Sequence, residues 1–411
     1  MYVLVDTAVV GHLGRVPLGA VALGGAVLSV ATILGNFLAY GTTARAARLY
    51  GAGQRAEAVA EGVQASWLAV AFGTGFIVAA QLFAGPVAAA LAGSGAESAQ
   101  VAAAAEQWLR VASLGAPGIL LTLAGNGWMR GVQDASRPLR YVLGANLLSA
   151  ALCPLLVYPA GLGLIGSAVA NVVAQAVSAG LFLRALVAEK PSLRPERSIL
   201  TGQLGMGRDL VLRTVSFQVC FLSAAAVAAR FGAGPLGAHH IALQLWFFCA
   251  LLLDAVAIAA QSLIGADLGA GRVDSAKSAA REIARIGAVC GLALAAAIGA
   301  AYAVLPRIFT DDPEVLKQAA IAWPWFVGML PFAGVVFALD GVMIGAGDVR
   351  YLRNLMLVSA LGVFLPAIWL AYALNLGIGG IWAGLALFVT ARLAALAARL
   401  AGGRWAVPGA V

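Results

Sequence analysis

Apolar residues form long runs along this chain, and short segments rich in glycine, proline and arginine separate them. A helix needs about 20 mainly apolar residues to cross a bilayer. We take each apolar run to end at the helix-breaking glycine and proline segments on either side of it. On this basis we predict helices near residues 1–10, 18–49, 62–92, 101–131, 138–160, 163–188, 208–231, 236–268, 278–306, 318–346, 351–374 and 378–400. The pattern predicts an all-α integral membrane protein with twelve transmembrane helices, of which the first is truncated.

The longest polar segment runs from Glu189 to Asp209 and divides the predicted helices six and six. We therefore predict a six-helix N-terminal lobe over 1–188, a cytoplasmic linker over 189–207, a six-helix C-terminal lobe over 208–400 and a cytoplasmic tail over 401–411.

The two predicted lobes share an internal repeat. Pro17–Ala20 recurs as Pro235–Ala238, and Gly51–Gly53 recurs as Gly269–Gly271, with the same number of residues between the two copies in both cases. Further along the chain, the copies are slightly closer together. The matched pairs there are Pro117 with Pro331, Asn126 with Asp340, Gly127 with Gly341 and Gly163 with Gly377. Because each half has an even number of spans, we expect two six-helix bundles related by a pseudo-two-fold axis along the membrane normal.

The same repeat bears on the first helix. The second half begins near Arg208, so the equivalent start of the first half would precede Met1. About ten apolar residues cannot cross a bilayer. We expect the missing part of this helix to be encoded upstream.

Composition and charge agree with a membrane protein. Hydrophobic residues make up 62% of the 411 positions, charged residues 11%, and the mean hydropathy is +0.93, which excludes a soluble domain. With Met1 placed inside, all but five of the 26 Lys and Arg residues fall in inside segments. The excess positive charge therefore indicates orientation rather than nucleic-acid binding, and predicts an inner (plasma) membrane protein with a cytoplasmic C-terminus.

Recognisable enzyme and metal motifs are missing from the sequence. The four cysteines lie within apolar runs without ligand spacing, and no Walker A, GxSxG, HExxH or CxxC pattern occurs. We predict no catalytic residues, no metal site, no cofactor and no enzymatic activity.

Ionisable residues within the apolar runs are the candidate functional groups, because they are costly in a membrane. Asp6 is a lone carboxylate in its segment, and such a group can bind and release a coupling proton. Exposure at a frayed terminus is the alternative reading of Asp6. Asp254 and Asp340 lie within later helices, where ion binding and structural hydrogen bonding are equally compatible with the pattern. Further polar candidates are Asn146 and Gln261, with Asn36, Asn126 and Gln133 as cavity-lining residues.

The segment Leu4–Leu13 (LVDTAVVGHL) resembles the first-helix signature of the multidrug and toxic compound extrusion (MATE) family, nearest to its DinF-like branch. Gly127–Gln133, Arg208–Thr214 and Leu339–Gly345 are also similar to that family, so the resemblance covers nearly the whole chain. It implies export of diverse, often cationic and hydrophobic compounds in exchange for H⁺ or Na⁺.

The resemblance also implies roles for individual residues. Asp6 matches the first-helix aspartate of the N-lobe cation site, and Asn146 matches a fifth-helix asparagine of that site. Ser149 and Cys153 stand where family members often carry a further Asn and Asp, which favours H⁺ coupling over Na⁺. Asp340 matches a tenth-helix aspartate, but the seventh-helix carboxylate of the NorM-like branch is lacking.

We therefore expect a monomeric secondary exporter of lipophilic or cationic small molecules, coupled to H⁺ or Na⁺, whose partners are its substrate and the lipid bilayer. Two alternatives stay open. The first is a flippase for a lipid-linked precursor, which a strongly cationic cavity would favour and for which Arg213 is the one plausible base. The second is a non-transporting structural or receptor-like membrane protein.

Overall fold

The computed structural model describes residues 2–95 and 97–410, with side chains from Val5 onward. The first half contains α1 (Tyr2–Gly11), α2 (Arg15–Gly51), α3 (Arg55–Ala92), α4 (Ser98–Ala112), α5 (Ala116–Gly131), α6 (Ser136–Val157) and α7 (Gly163–Ala188). The second half contains α8 (Arg197–Arg230), α9 (Ala233–Gly269), α10 (Val273–Ala300), α11 (Leu305–Phe309), α12 (Pro313–Gly345), α13 (Val349–Ser359), α14 (Leu365–Ala373) and α15 (Gly377–Ala401). The predicted all-α fold is confirmed.

Within the described residues, eleven helical runs are long and apolar enough to cross a membrane. A 3₁₀ turn joins α4 to α5, and a π-helical turn over Ala360–Phe364 joins α13 to α14, so each of these pairs forms one run. α1 supplies ten further helical residues. Large apolar side chains such as Leu82, Leu222 and Leu251 are exposed, as expected for a surface that faces lipid rather than water.

The helices form two compact units. The first comprises the chain up to Ala46 together with Gln54–Gly205, and the second comprises Ala47–Gly53 together with the chain from Met206 onward. The last turn of α2 thus packs with the second unit, and the first turns of α8 pack with the first.

The repeat read from the sequence recurs as matching contacts inside each unit. A Cβ added at Gly19 would meet Val101 in the first unit, and one added at the equivalent Gly237 would meet Val315 in the second. In the same way, Gly73 approaches Pro117 in the first unit and Gly291 approaches Pro331 in the second. A third matching pair of contacts is Gly127 with Ala39 and Gly341 with Ala257. The partners are related by the same two separations that the sequence repeat shows. The two units therefore share one helix-packing scheme, in which small residues allow close helix contacts.

The predicted linker is partly helical. α8 begins at Arg197, within the segment predicted as linker, and the residues before it are held against α3. The amide of Gln64 donates to the carbonyl of Arg194 at 2.9 Å and accepts from the backbone N–H of Glu196 at 3.0 Å. The polar composition of this segment thus reflects an amphipathic helix start.

A buried ion pair fixes this helix start in the first unit. Arg45 donates three hydrogen bonds of 2.6 to 2.9 Å to the carboxylate of Glu61, which is 1% exposed. Gln203 at the start of α8 donates to the same carboxylate at 2.6 Å. Helices α2, α3 and α8 therefore meet at one buried polar cluster, in which the Oε1 atom of Gln203 has no hydrogen-bond partner.

Candidate coupling site and buried charge cluster

Asp6 lines a cavity of about 420 Å³ within the first unit. Helix α2 supplies most of the wall, from Leu18 to Ile33, while Trp108 of α4 and Asn171 of α7 close it. The lining is mainly apolar. Trp108 is held in place by donating from its indole N–H to the hydroxyl of Ser167 at 2.9 Å, and Gly24 leaves the space that the indole ring needs.

The Asp6 carboxyl group is buried, with 3% of the residue exposed. Its Oδ1 atom has no hydrogen-bond partner, and the Cys153 thiol of α6 lies within hydrogen-bonding reach of the carboxyl group. None of the ion pairs seen in residues 2–95 and 97–410 includes Asp6. A carboxyl group in such surroundings is stabilised when it carries a proton.

Two further buried polar atoms without partners belong to the same region of the first unit. Asn171, whose Oδ1 is buried without a partner, is among the residues that line the cavity, and Ser149 lies one helical turn before Cys153 on α6. Sequence reasoning missed Asn171. The available signal was a lone amide in the apolar run of α7, but such residues most often bond a neighbouring helix.

The structure places the other first-lobe candidates away from this cavity. Asn146 and Asn126 each donate to the carbonyl one turn earlier in their own helix, at 2.8 Å in both cases. Asn36 is half-buried on α2, one turn beyond the cavity wall. Gln133 is exposed at a turn, where its φ of 65° matches the φ of 75° at its repeat partner Gly347. Gln133 therefore shapes a helix connection.

In the second unit, Asp340 lies between two arginines. Arg213 and Arg392 each donate from Nη2 to the same Oδ2 atom of Asp340 at 2.6 Å. Arg392 is buried in α15 and 4% exposed. Arg392 thus lies beside Arg213, which the sequence singles out as the one plausible cavity base. Asp340 is a salt-bridge partner, so its Oδ2 is not free to bind a cation.

The remaining second-lobe candidates lie on α9. Gln261 is buried, both of its side-chain polar atoms lack partners, and its backbone contacts Gly345 of α12. Asp254 is half-buried two turns earlier.

These observations define a duplicated helical membrane protein with a buried carboxyl group in a cavity of one lobe, the architecture of a secondary transporter. The MatE family profile matches residues 1–155 and 210–372. The chain belongs to the MatE family, whose members are transporters.

Individual relatives support this assignment. The chain is 30% identical to the Escherichia coli K12 DNA damage-inducible protein F over 405 residues, 96% of this chain and 86% of the relative. It is also 35% identical to the Arabidopsis thaliana chloroplastic protein DETOXIFICATION 44. The matched region covers 72% of this chain and 57% of that relative's length. A crystal structure of a MATE protein in its bent conformation matches with a TM-score of 0.88 and 22% identity, covering 98% of this chain and 90% of the other.

Proposed function

We propose that this chain is a secondary exporter that moves small lipophilic molecules out of the cell in exchange for H⁺, with Asp6 as the proton-binding group. The observation that carries the proposal is the buried Asp6 carboxyl group, which has an unpartnered oxygen and faces a largely apolar cavity. The cavity volume of about 420 Å³ lies in the range of small-molecule sites.

Protonation of Asp6 from outside would remove a charge from this cavity and change what α1 can pack against. α1 is held to α6 through the Tyr158 hydroxyl, which donates to the carbonyl of Val9 at 2.7 Å. A neutral and an ionised Asp6 would therefore favour different positions of α1, and this difference would link proton binding to substrate release.

The proposed coupling ion is H⁺ because the side chain within hydrogen-bonding reach of Asp6 is a thiol, which is a poor Na⁺ ligand. A thiol, as in Cys153, is a soft donor, whereas alkali and alkaline-earth cations prefer several oxygen ligands. We place the protein in the plasma membrane with a cytoplasmic C-terminus, because its Lys and Arg residues are concentrated in the predicted inside segments.

The test is transport by the purified 411-residue chain in liposomes that contain a pH-sensitive dye. A cationic dye, ethidium, and an anionic one, 2-naphthalenesulfonate, serve as substrates. We expect at least one to be driven by a pH gradient and to move protons in the opposite direction. Asp6→Asn should abolish both movements, whereas Asp134→Asn, which changes a carboxylate at a turn, should abolish neither.

Wild-type efflux from Asp6→Asn would refute the assignment of Asp6. Efflux that follows a Na⁺ gradient and ignores the pH gradient would refute H⁺ as the coupling ion.

A further inference from the structure

Two guanidinium groups and one carboxylate lie together in the second unit. They come from three helices: Arg213 from α8, Asp340 from α12 and Arg392 from α15. The side chains of Asp340 and Arg392 are 6% and 5% exposed, whereas that of Arg213 is 19% exposed. Arg213 is therefore the member of the cluster that a ligand can reach.

The cluster has two positively charged guanidinium groups and one negatively charged carboxylate, so one positive charge is not neutralised. In the ion pairs of the described residues, Arg213 and Arg392 each pair with Asp340 and with no other carboxylate. Both arginines bond the same oxygen of that carboxylate. An uncompensated charge is costly in a buried site, and an anionic ligand would remove that cost.

Unused hydrogen-bonding groups remain around this excess charge. The Nε atoms of Arg213 and Arg392 are buried without a partner. Guanidinium groups present a planar fork of donors that fits carboxylate, sulfonate and phosphate oxygens. The cluster can therefore bind an oxyanion without first giving up all of its bonds to Asp340.

Aromatic side chains lie beside the guanidinium groups. The Arg392 guanidinium carbon is 5.6 Å from the centroid of the Phe388 ring, and Phe217 is 6.2 Å from Phe388. Phe217 is half-buried one turn after Arg213, on the same face of α8. Phe217 thus offers an apolar contact beside the accessible arginine, whereas Phe388 is buried behind it.

We propose that Arg213, with the buried charge of Arg392 behind it, binds the oxyanion group of an amphipathic molecule whose apolar body packs against Phe217. The ligand is either a soluble organic anion or an anionic lipid headgroup, since both present the same chemistry. That this ligand is exported rests on the proposed function, but its binding does not.

The experiment measures thermal unfolding of the purified full chain in detergent, because a ligand that binds only the folded state raises its midpoint. The probes are 2-naphthalenesulfonate, 2-naphthylmethylammonium as a cation with the same rings, and phosphatidylglycerol against phosphatidylcholine. Sodium chloride at the same ionic strength as the probes serves as the reference for effects of salt alone. We expect a saturable rise with at least one anion and none with the cation.

Substitutions test whether the rise in unfolding midpoint depends on the arginine cluster. Arg213→Gln leaves a neutral Asp340–Arg392 pair and should weaken the apparent affinity for the anion about tenfold or more. Arg213→Lys retains the charge but loses the planar fork of donors, so it should weaken the affinity less than Arg213→Gln does. Asp134→Asn, which changes a carboxylate at a turn of the first unit, should bind the anion as the wild type does. Because binding is measured without a pH gradient, failure of the proton-coupling proposal is distinguishable from failure of this one.

Saturation by the sulfonate identifies a soluble anion, and saturation by phosphatidylglycerol alone identifies a lipid headgroup. Equal stabilisation by the naphthyl cation, or unchanged anion affinity in Arg213→Gln, would overturn the proposal. If Arg213→Gln fails to fold, the comparison of anions with the cation on the wild type decides: no preference for any anion overturns it.

Discussion

Gly51 and Gly269, which the internal repeat pairs, make reciprocal contacts where the end of α2 packs against the end of α9. A Cβ added at Gly51 would overlap the backbone of Ala266, and one added at Gly269 would overlap the backbone of Arg48. Ala266 is itself the repeat partner of Arg48, at the separation that also relates the two glycines. The two helix ends thus cross symmetrically, and only glycine permits this approach.

Gly51→Ala and Gly269→Ala are each expected to lower the free energy of unfolding by about 1–3 kcal/mol, because the neighbouring backbone must move to accept a methyl group. Thermal unfolding in detergent measures the effect. Gly75→Ala is the control, since a Cβ there would meet nothing within 4 Å. Equal midpoints for all three variants would show that the crossing is looser than described.

Glu61→Gln should destabilise the first unit strongly. It removes the carboxylate that Arg45 and Gln203 bond, and breaking one side of a buried ion pair costs about 3–5 kcal/mol. Glu189→Gln breaks the more exposed pair with Arg55, for which about 0–1 kcal/mol is expected. Thermal unfolding of the two variants side by side tests this order, and a smaller loss for Glu61→Gln would contradict it.

Cys153→Asp should add Na⁺ dependence to transport. The substitution places a second carboxylate beside Asp6 and replaces a soft donor with a hard one, which Na⁺ prefers. The measurement is dye efflux from liposomes under a Na⁺ gradient at equal pH on both sides. Cys153→Ser, of similar size and uncharged, serves as the control and should stay independent of Na⁺; no response from Cys153→Asp would argue against a cation site at Asp6.

Asn171→Ala should reduce proton-coupled efflux severalfold while changing the free energy of unfolding by less than about 1 kcal/mol, because its Oδ1 accepts no hydrogen bond that could be lost. Efflux in liposomes and thermal unfolding in detergent together test this. A large loss of stability with normal residual transport would assign Asn171 a packing role instead.

The sequence was sufficient for the features that repeat along the chain. Two constant separations between matching segments predicted which positions are equivalent, and Gly127 and Gly341 indeed make equivalent contacts. Asp6 could be singled out because a carboxylate stands out in an apolar run. The start of α8 was misplaced because its polar first turns pack on Gln64 and Glu61, which lie far earlier in the chain.

The sequence by itself determined the membrane-spanning character, the duplicated helical architecture and the presence of a costly carboxylate, since each follows from hydropathy and spacing. Tertiary structure alone decided which polar groups meet. Arg392 of α15 bonds Asp340 of α12, and Asn171 joins Asp6 across one cavity. In these helices, apolar on nearly all sides, periodicity does not reveal which face packs inward, so such partners emerge only once the helices are packed.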